Sequence, residues 1–244
     1  MSNFSELTNS GEGLVILFGM LFLLLMTNAC HEGGHALMAW WMGDRRKSIL
    51  GRCTLNPLNH FHWFLTLVLP VLSLMLFGFL MGGAKPVMIH AGKIGPRRMA
   101  LVALAGPVGN MLFAGFAVAV LSLGLQQGWF DDVDRLGDST YRAAIPAIWF
   151  SLLLAMLNLV PLPPLDGSRM LAMFMPERVR MTYYRFAPLG LVLVLAGYLW
   201  VSGGLYYFGF KAFGRGYPRF FMGTMVDVIH DAVETMFEFW EQLL

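Results

Sequence analysis

Charge is scarce in this chain. Asp, Glu, Lys and Arg make up 13% of its 244 residues, about half the ~25% usual for a soluble domain. With 57% of residues hydrophobic, that shortage argues against a soluble globule and for an integral membrane bundle. A net charge of +2, with no dense basic patch to track phosphates, excludes a nucleic-acid partner. Two cysteines, Cys30 and Cys53, cannot build a disulfide framework and read as apolar filler. The first thirteen residues contain no Lys or Arg. A cleavable signal peptide with a basic n-region is therefore not expected, and the apolar segment that follows reads as a retained span.

Long apolar runs are what the chain does have. A span needs about 20 mostly apolar residues to cross ~30 Å of hydrocarbon. Five segments approach this length: Leu14 to Met42, Phe61 to Met81, Met99 to Leu125, Ala143 to Val160, and Phe186 to Val201. The expected fold is all-α and membrane-integral, a bundle of five to six transmembrane helices. The segment "GGAKPVMIHAG" (82–92) is bounded by glycines and reads as a short membrane-associated strand or hairpin, with an ordinary loop as the alternative. From Phe221 the apolar positions recur at helical spacing opposite an acidic face, which predicts a C-terminal amphipathic helix. The expected organisation is an extracytoplasmic segment (1–13), a transmembrane core (14–202) and an amphipathic tail (203–244). Arg45, Arg46, Lys47 and Arg52 follow the first span and place that loop in the cytoplasm by the positive-inside rule. The next loop is also basic, with Lys85, Lys93, Arg97 and Arg98, so simple alternation leaves the remaining topology open.

Within the first apolar run stand His31, Glu32 and His35, in "HEGGH". Ionisable groups inside a span are expensive and mark function by default. His31 and His35 are four apart, so on a helix they share a face and can point at one ion. In zinc peptidases the HExxH pattern supplies two imidazole ligands and a glutamate that takes a proton from water. A polar trio satisfied by neighbouring helices is the bland alternative.

A catalytic zinc site with three protein ligands needs one more. Of the fifteen acidic residues, only Glu32 and Asp166 fall in or beside apolar helical stretches. Asp166, in "NLVPLPPLDGSRM", is therefore the leading third ligand. Pro161, Pro163 and Pro164 end the preceding helix and let the chain turn that carboxylate towards the first one. Asp166 as an N-cap of the next helix is the competing role.

"HEGGH", "NPLNH", "KPV", "AGPVGN" and "NLVPLPPLDG" follow one another between residues 31 and 167. In that order they resemble the site-2 protease family of intramembrane zinc metalloproteases, in a compact form with no PDZ-like insertion or CBS pair visible. The resemblance implies that His31, His35 and Asp166 hold Zn2+ and that Glu32 activates water. It implies cleavage of a peptide bond in or near the membrane part of a transmembrane substrate. It also supports Asn158 as a donor to the substrate backbone or the developing oxyanion, against the plainer role of a helix-packing amide. Gly106, Gly109 and Asn110 are expected to let helices approach, with Asn110 bonding across the interface. The implied setting is a multi-pass protein of a prokaryotic inner membrane, with the site towards the cytoplasmic side. Expected partners are a transmembrane protein or peptide substrate, the lipid bilayer, and a second copy or regulatory partner on the C-terminal helix. A metal-binding transporter or scaffold without hydrolysis is the alternative reading. Glu32 has no clear use in it.

Overall fold

The computed structural model describes residues 11–77, 82–127 and 136–201, together with residues 235 and 242. The first apolar run forms one helix, α1, Gly11–Trp41. A short helix α2, Lys47–Leu50, follows. A 3-10 turn, Pro57–His60, and a π-helical turn, Trp63–Val68, lead into α3, Leu69–Phe77. After the irregular residues 82–90 come α4, Ala91–Ile94, and the long α5, Pro96–Gln126. Then follow α6, Leu136–Leu159, the short α7, Asp166–Ala172, α8, Glu177–Arg185, and α9, Ala187–Val201.

Helices α1, α5, α6 and α7 pack together. Small residues line the seams: Ala29, Ala36 and Ala39 on α1, Ala103 and Ala114 on α5, Ala147 and Ala155 on α6 are all buried. This suits helices that associate by close packing rather than by hiding apolar surface from water. A Cβ added at Gly109 would collide with the Cys30 carbonyl, and one at Gly34 would lie 2.5 Å from that of Ala105. Helix α5 therefore crosses α1 at a distance only glycine allows.

Two apolar clusters flank the crossing. Ala114, Val118 and Leu121 of α5 meet Ala144, Ile148 and Leu152 of α6, with Leu23 of α1 alongside. Ala36 and Ala39 of α1 meet Met99 and Val102 of α5, together with Val87 and Ile94. Helix α5 thus runs antiparallel to α1, and His31 and His35 lie between the clusters.

Large apolar side chains also cover the outside, including Phe18, Phe22, Leu112, Phe116, Leu191 and Val192. Among the described residues, one helix is long and apolar enough to cross a membrane: Pro96–Gly124, 29 residues with a mean hydropathy of 1.8. Trp63–Ser73 and Ala147–Leu159 are apolar but shorter. The expected C-terminal amphipathic helix falls almost wholly outside the described residues, as do residues 78–81 of the second expected span.

The strand expected at 82–92 does not form. Residues 82–90 are neither helix nor strand, and Ala91 already begins α4. Two backbone donors of the segment, Gly83 N–H and Lys85 N–H, go to the isolated carbonyls of Leu65 and His60. Two others, Val87 N–H and His90 N–H, go to the side chains of Glu32 and Asp44. With no strand among the described residues to supply a ladder, glycine at 82 and 83 and proline at 86 leave an irregular chain.

Candidate metal centre

His31 and His35 stand one turn apart on α1, their rings edge to face with centroids 4.6 Å apart. The turn after α6 carries the chain through Pro161, Pro163 and Pro164 to Asp166, the first residue of α7. The N-cap of α7 is Leu165, with no side-chain cap bond. Asp166 does not serve as the cap, and its carboxylate is free to face α1.

His31 Nε2, His35 Nε2 and Asp166 Oδ2 form a nearly equilateral triangle. The sides are 3.2 Å between the nitrogens, 3.1 Å from His35 to Asp166 and 3.3 Å from His31 to Asp166. Three ligands at zinc distances of 2.0–2.1 Å in a tetrahedral arrangement would stand about 3.3 Å apart. All three residues are at most 7% exposed. His35 Nδ1–H donates to the Val102 carbonyl at 2.7 Å, which leaves Nε2 as a lone pair facing the carboxylate oxygen. Two acceptors at that distance repel unless a proton or a cation lies between them. A Cβ at Gly106 would collide with both imidazoles, so this glycine supplies the room the rings occupy. Two imidazoles and one carboxylate are also a donor set of catalytic zinc. The residues fit the ion.

The other oxygen of Asp166, Oδ1, lies 3.6 Å from Arg169 Nη1 one turn along α7. Asn110 on α5 approaches His31 Nδ1 at 3.2 Å. Glu32, half-buried on the same helix, is not one of the three clustered ligands. Its Oε2 accepts the Val87 N–H at 2.8 Å, so the irregular segment is tied to the glutamate of HExxH. Asn158 lies in the last turn of α6, where its Nδ2 donates to the Leu154 carbonyl of its own helix at 3.0 Å.

Two arginines hold the segment beside Glu32. Arg52 donates to the Lys85 carbonyl and, at 2.6 Å, to that of Asn59. Arg46 donates to the Met88 carbonyl at 2.7 Å and grips the buried Asp44 through two bonds of 2.7 and 2.6 Å. Asp44 in turn accepts the His90 N–H at 3.1 Å. The Arg46 guanidinium outweighs burial and holds the Asp44 carboxyl down to about 2, from its ordinary 3.8. A cavity of about 580 Å³ opens between this segment and α7, lined by Arg46, Val87, Met88, His90, Arg169 and Tyr184. His60 is buried and spends Nε2 on the Thr54 carbonyl, and the His90 side chain is exposed. Neither joins the trio.

Several contributors were not read as site residues from sequence. Val102 acts through its carbonyl, which carries no sequence signal. Arg169 does carry one, being three residues after a candidate ligand on a helix. Asn110 carries another, an amide within an apolar helix.

The chain is similar to a provisionally named zinc metalloprotease of Bacillus subtilis, YwhC. The two are 32% identical over 184 residues, covering 72% of this chain and 78% of the relative. It is also similar to the provisionally named zinc metalloproteases Rip2 of Mycolicibacterium smegmatis and Mycobacterium tuberculosis. Identities are 38% and 35%, over 59% and 66% of this chain. The chain's match spans little more than half of those two relatives, 52% and 57%. No family profile matches the chain, and no solved structure matches it significantly. The clustered HEGGH and LDG residues, together with the match across most of YwhC, lead to one assignment: the chain belongs to the site-2 protease family of zinc metalloproteases.

Proposed function

We propose that this chain is a zinc metalloendopeptidase that cleaves peptide bonds in or near the transmembrane segment of membrane-protein substrates. The observation that carries the reading is the triangle of His31 Nε2, His35 Nε2 and Asp166 Oδ2, with sides of 3.2, 3.1 and 3.3 Å. Those three residues would hold the ion. A zinc ion held by them would supply Lewis acidity, lowering the pKa of water to about 7 and polarising the scissile carbonyl. Glu32 takes a proton from the attacking water and returns it to the leaving nitrogen. The Val87 N–H fixes which way that carboxylate faces. Asn158 has a second amide hydrogen beyond the one given to Leu154, and this donor serves the substrate backbone or the developing oxyanion.

A helical substrate buries its own backbone hydrogen bonds and must unwind before attack. The segment around Pro86 to Ile89, which lines the cavity facing α7, is where an unwound strand would pair. The apolar outer faces of α1, α5 and α9 support a multi-pass chain in the inner membrane of a prokaryote. The basic loop after α1 supports a site towards the cytoplasmic side.

The test is zinc content and cleavage of a single-span substrate, measured together in detergent for wild type, Glu32→Gln and Asp166→Ala. Glu32→Gln should keep its zinc and lose cleavage, and Asp166→Ala should lose zinc. A wild type without zinc, or Asp166→Ala retaining it fully, would refute the ligand assignment.

A further inference from the structure

Asn110 is fully buried on the face of α5 that meets α1. Its amide nitrogen lies 3.2 Å from His31 Nδ1, and its amide oxygen has no partner among the described residues. An imidazole that gives Nε2 to a metal carries its ring proton on Nδ1. The group facing Nδ1 must then accept a hydrogen bond. The two ends of an asparagine amide have nearly the same shape, and which end faces a neighbour follows from the hydrogen bonds each can make. No bond to Oδ1 opposes a half-turn of this amide.

We propose that Asn110 is the positioning residue of the metal centre: its amide oxygen accepts the His31 Nδ1–H and fixes the tautomer whose Nε2 lone pair faces the ion. This rests on the zinc reading above and adds a residue to it. The parallel with His35 supports the assignment, since its Nδ1–H is fixed in the same way by the Val102 carbonyl. The two devices differ in kind. One acceptor is backbone and survives substitution of its residue. The other is a side chain, which makes His31 the ligand whose orientation a point mutation can release. The backbone carbonyl of Asn110 accepts the Ser151 hydroxyl at 3.0 Å, a contact of the seam between α5 and α6 that does not involve the amide.

The experiment is zinc affinity, measured by competition with a chromophoric chelator on the metal-stripped full chain in detergent. Asn110→Leu keeps the volume and removes the acceptor, so zinc should bind roughly 10–100-fold more weakly. Asn110→Asp keeps an acceptor at the same place and should bind zinc at least as tightly as wild type. Ser151→Ala loosens the same helix seam without touching the imidazole and should leave affinity unchanged. Rescue by aspartate alone separates positioning from packing. The proposal falls if Asn110→Leu binds zinc like wild type, if Asn110→Asp fails as leucine does, or if Ser151→Ala weakens binding equally. A wild type that takes up no zinc would overturn the metal reading and this one with it.

Discussion

The helix crossing around His31 and His35 and the irregular segment at 82–90 meet on neighbouring residues of α1, yet they are held by opposite means. At the crossing, small residues set how near the helices come, and the polar atoms are few and buried. Along the segment, side chains at 85, 88 and 90 are exposed, and the chain is fixed by bonds from Arg46, Arg52, Glu32 and Asp44 to its backbone. Volume places the candidate ligands, whereas hydrogen bonds place the segment beside the candidate base. Metal binding and cleavage should therefore be separable by mutation.

The largest effect should come from filling the crossing. Gly106→Val puts a branched side chain where both imidazoles lie and should weaken zinc binding by roughly 100-fold or more, seen as loss of zinc from the purified protein. Next, Val87→Pro removes the N–H that Glu32 accepts. A hydrogen bond to a charged group contributes about 1.5–3 kcal/mol, so kcat should fall about 10- to 100-fold while zinc content stays at the wild-type level. Met88→Pro leaves the bond to Glu32 in place. A loss of cleavage as large as that of Val87→Pro would mean that pairing along the segment, rather than the Glu32 bond, dominates. Smaller again, Arg46→Met leaves Asp44 without its guanidinium and frees the Met88 carbonyl. Amide hydrogen exchange at residues 87–90 should quicken, with zinc affinity unmoved.

The smallest effect is on pH dependence. The folded-state pKa of Asp44 is depressed to about 2 from 3.8, so its stabilisation is complete above about pH 3.8 and is lost as pH falls towards 2. Melting temperatures of wild type and Asp44→Asn should converge over that window. A constant difference would remove Asp44 as the titrating group.

The long helices α1, α5, α6 and α9 were legible because their apolar runs are long and their breakers distinct, whereas the short α2, α4 and α8 carry no such run. "PLPPLD" ends α6 where three prolines predict, and Asp166 turns towards α1 rather than capping α7. For residues 82–92 the glycine bounds and strand-suited residue types point to a strand or hairpin, and the structure takes the alternative, a loop, over 82–90, because residue types say nothing about whether a second strand lies beside them. Asn110 was read only as a helix-packing amide, because sequence cannot tell which atom of a neighbouring helix an amide meets. Val102 was invisible for a stronger reason: every residue has a carbonyl, and only the crossing of α5 over His35 selects this one.

Since Arg46, Arg52, Glu32 and Asp44 grip the 82–90 segment by its backbone, they do not read the identity of its residues. Ala84, Lys85, Met88 and His90 form an exchangeable cassette. Libraries randomised at these four positions should keep the anchoring bonds, so the outward face of the segment can drift, or be engineered, without rebuilding the machinery beneath it.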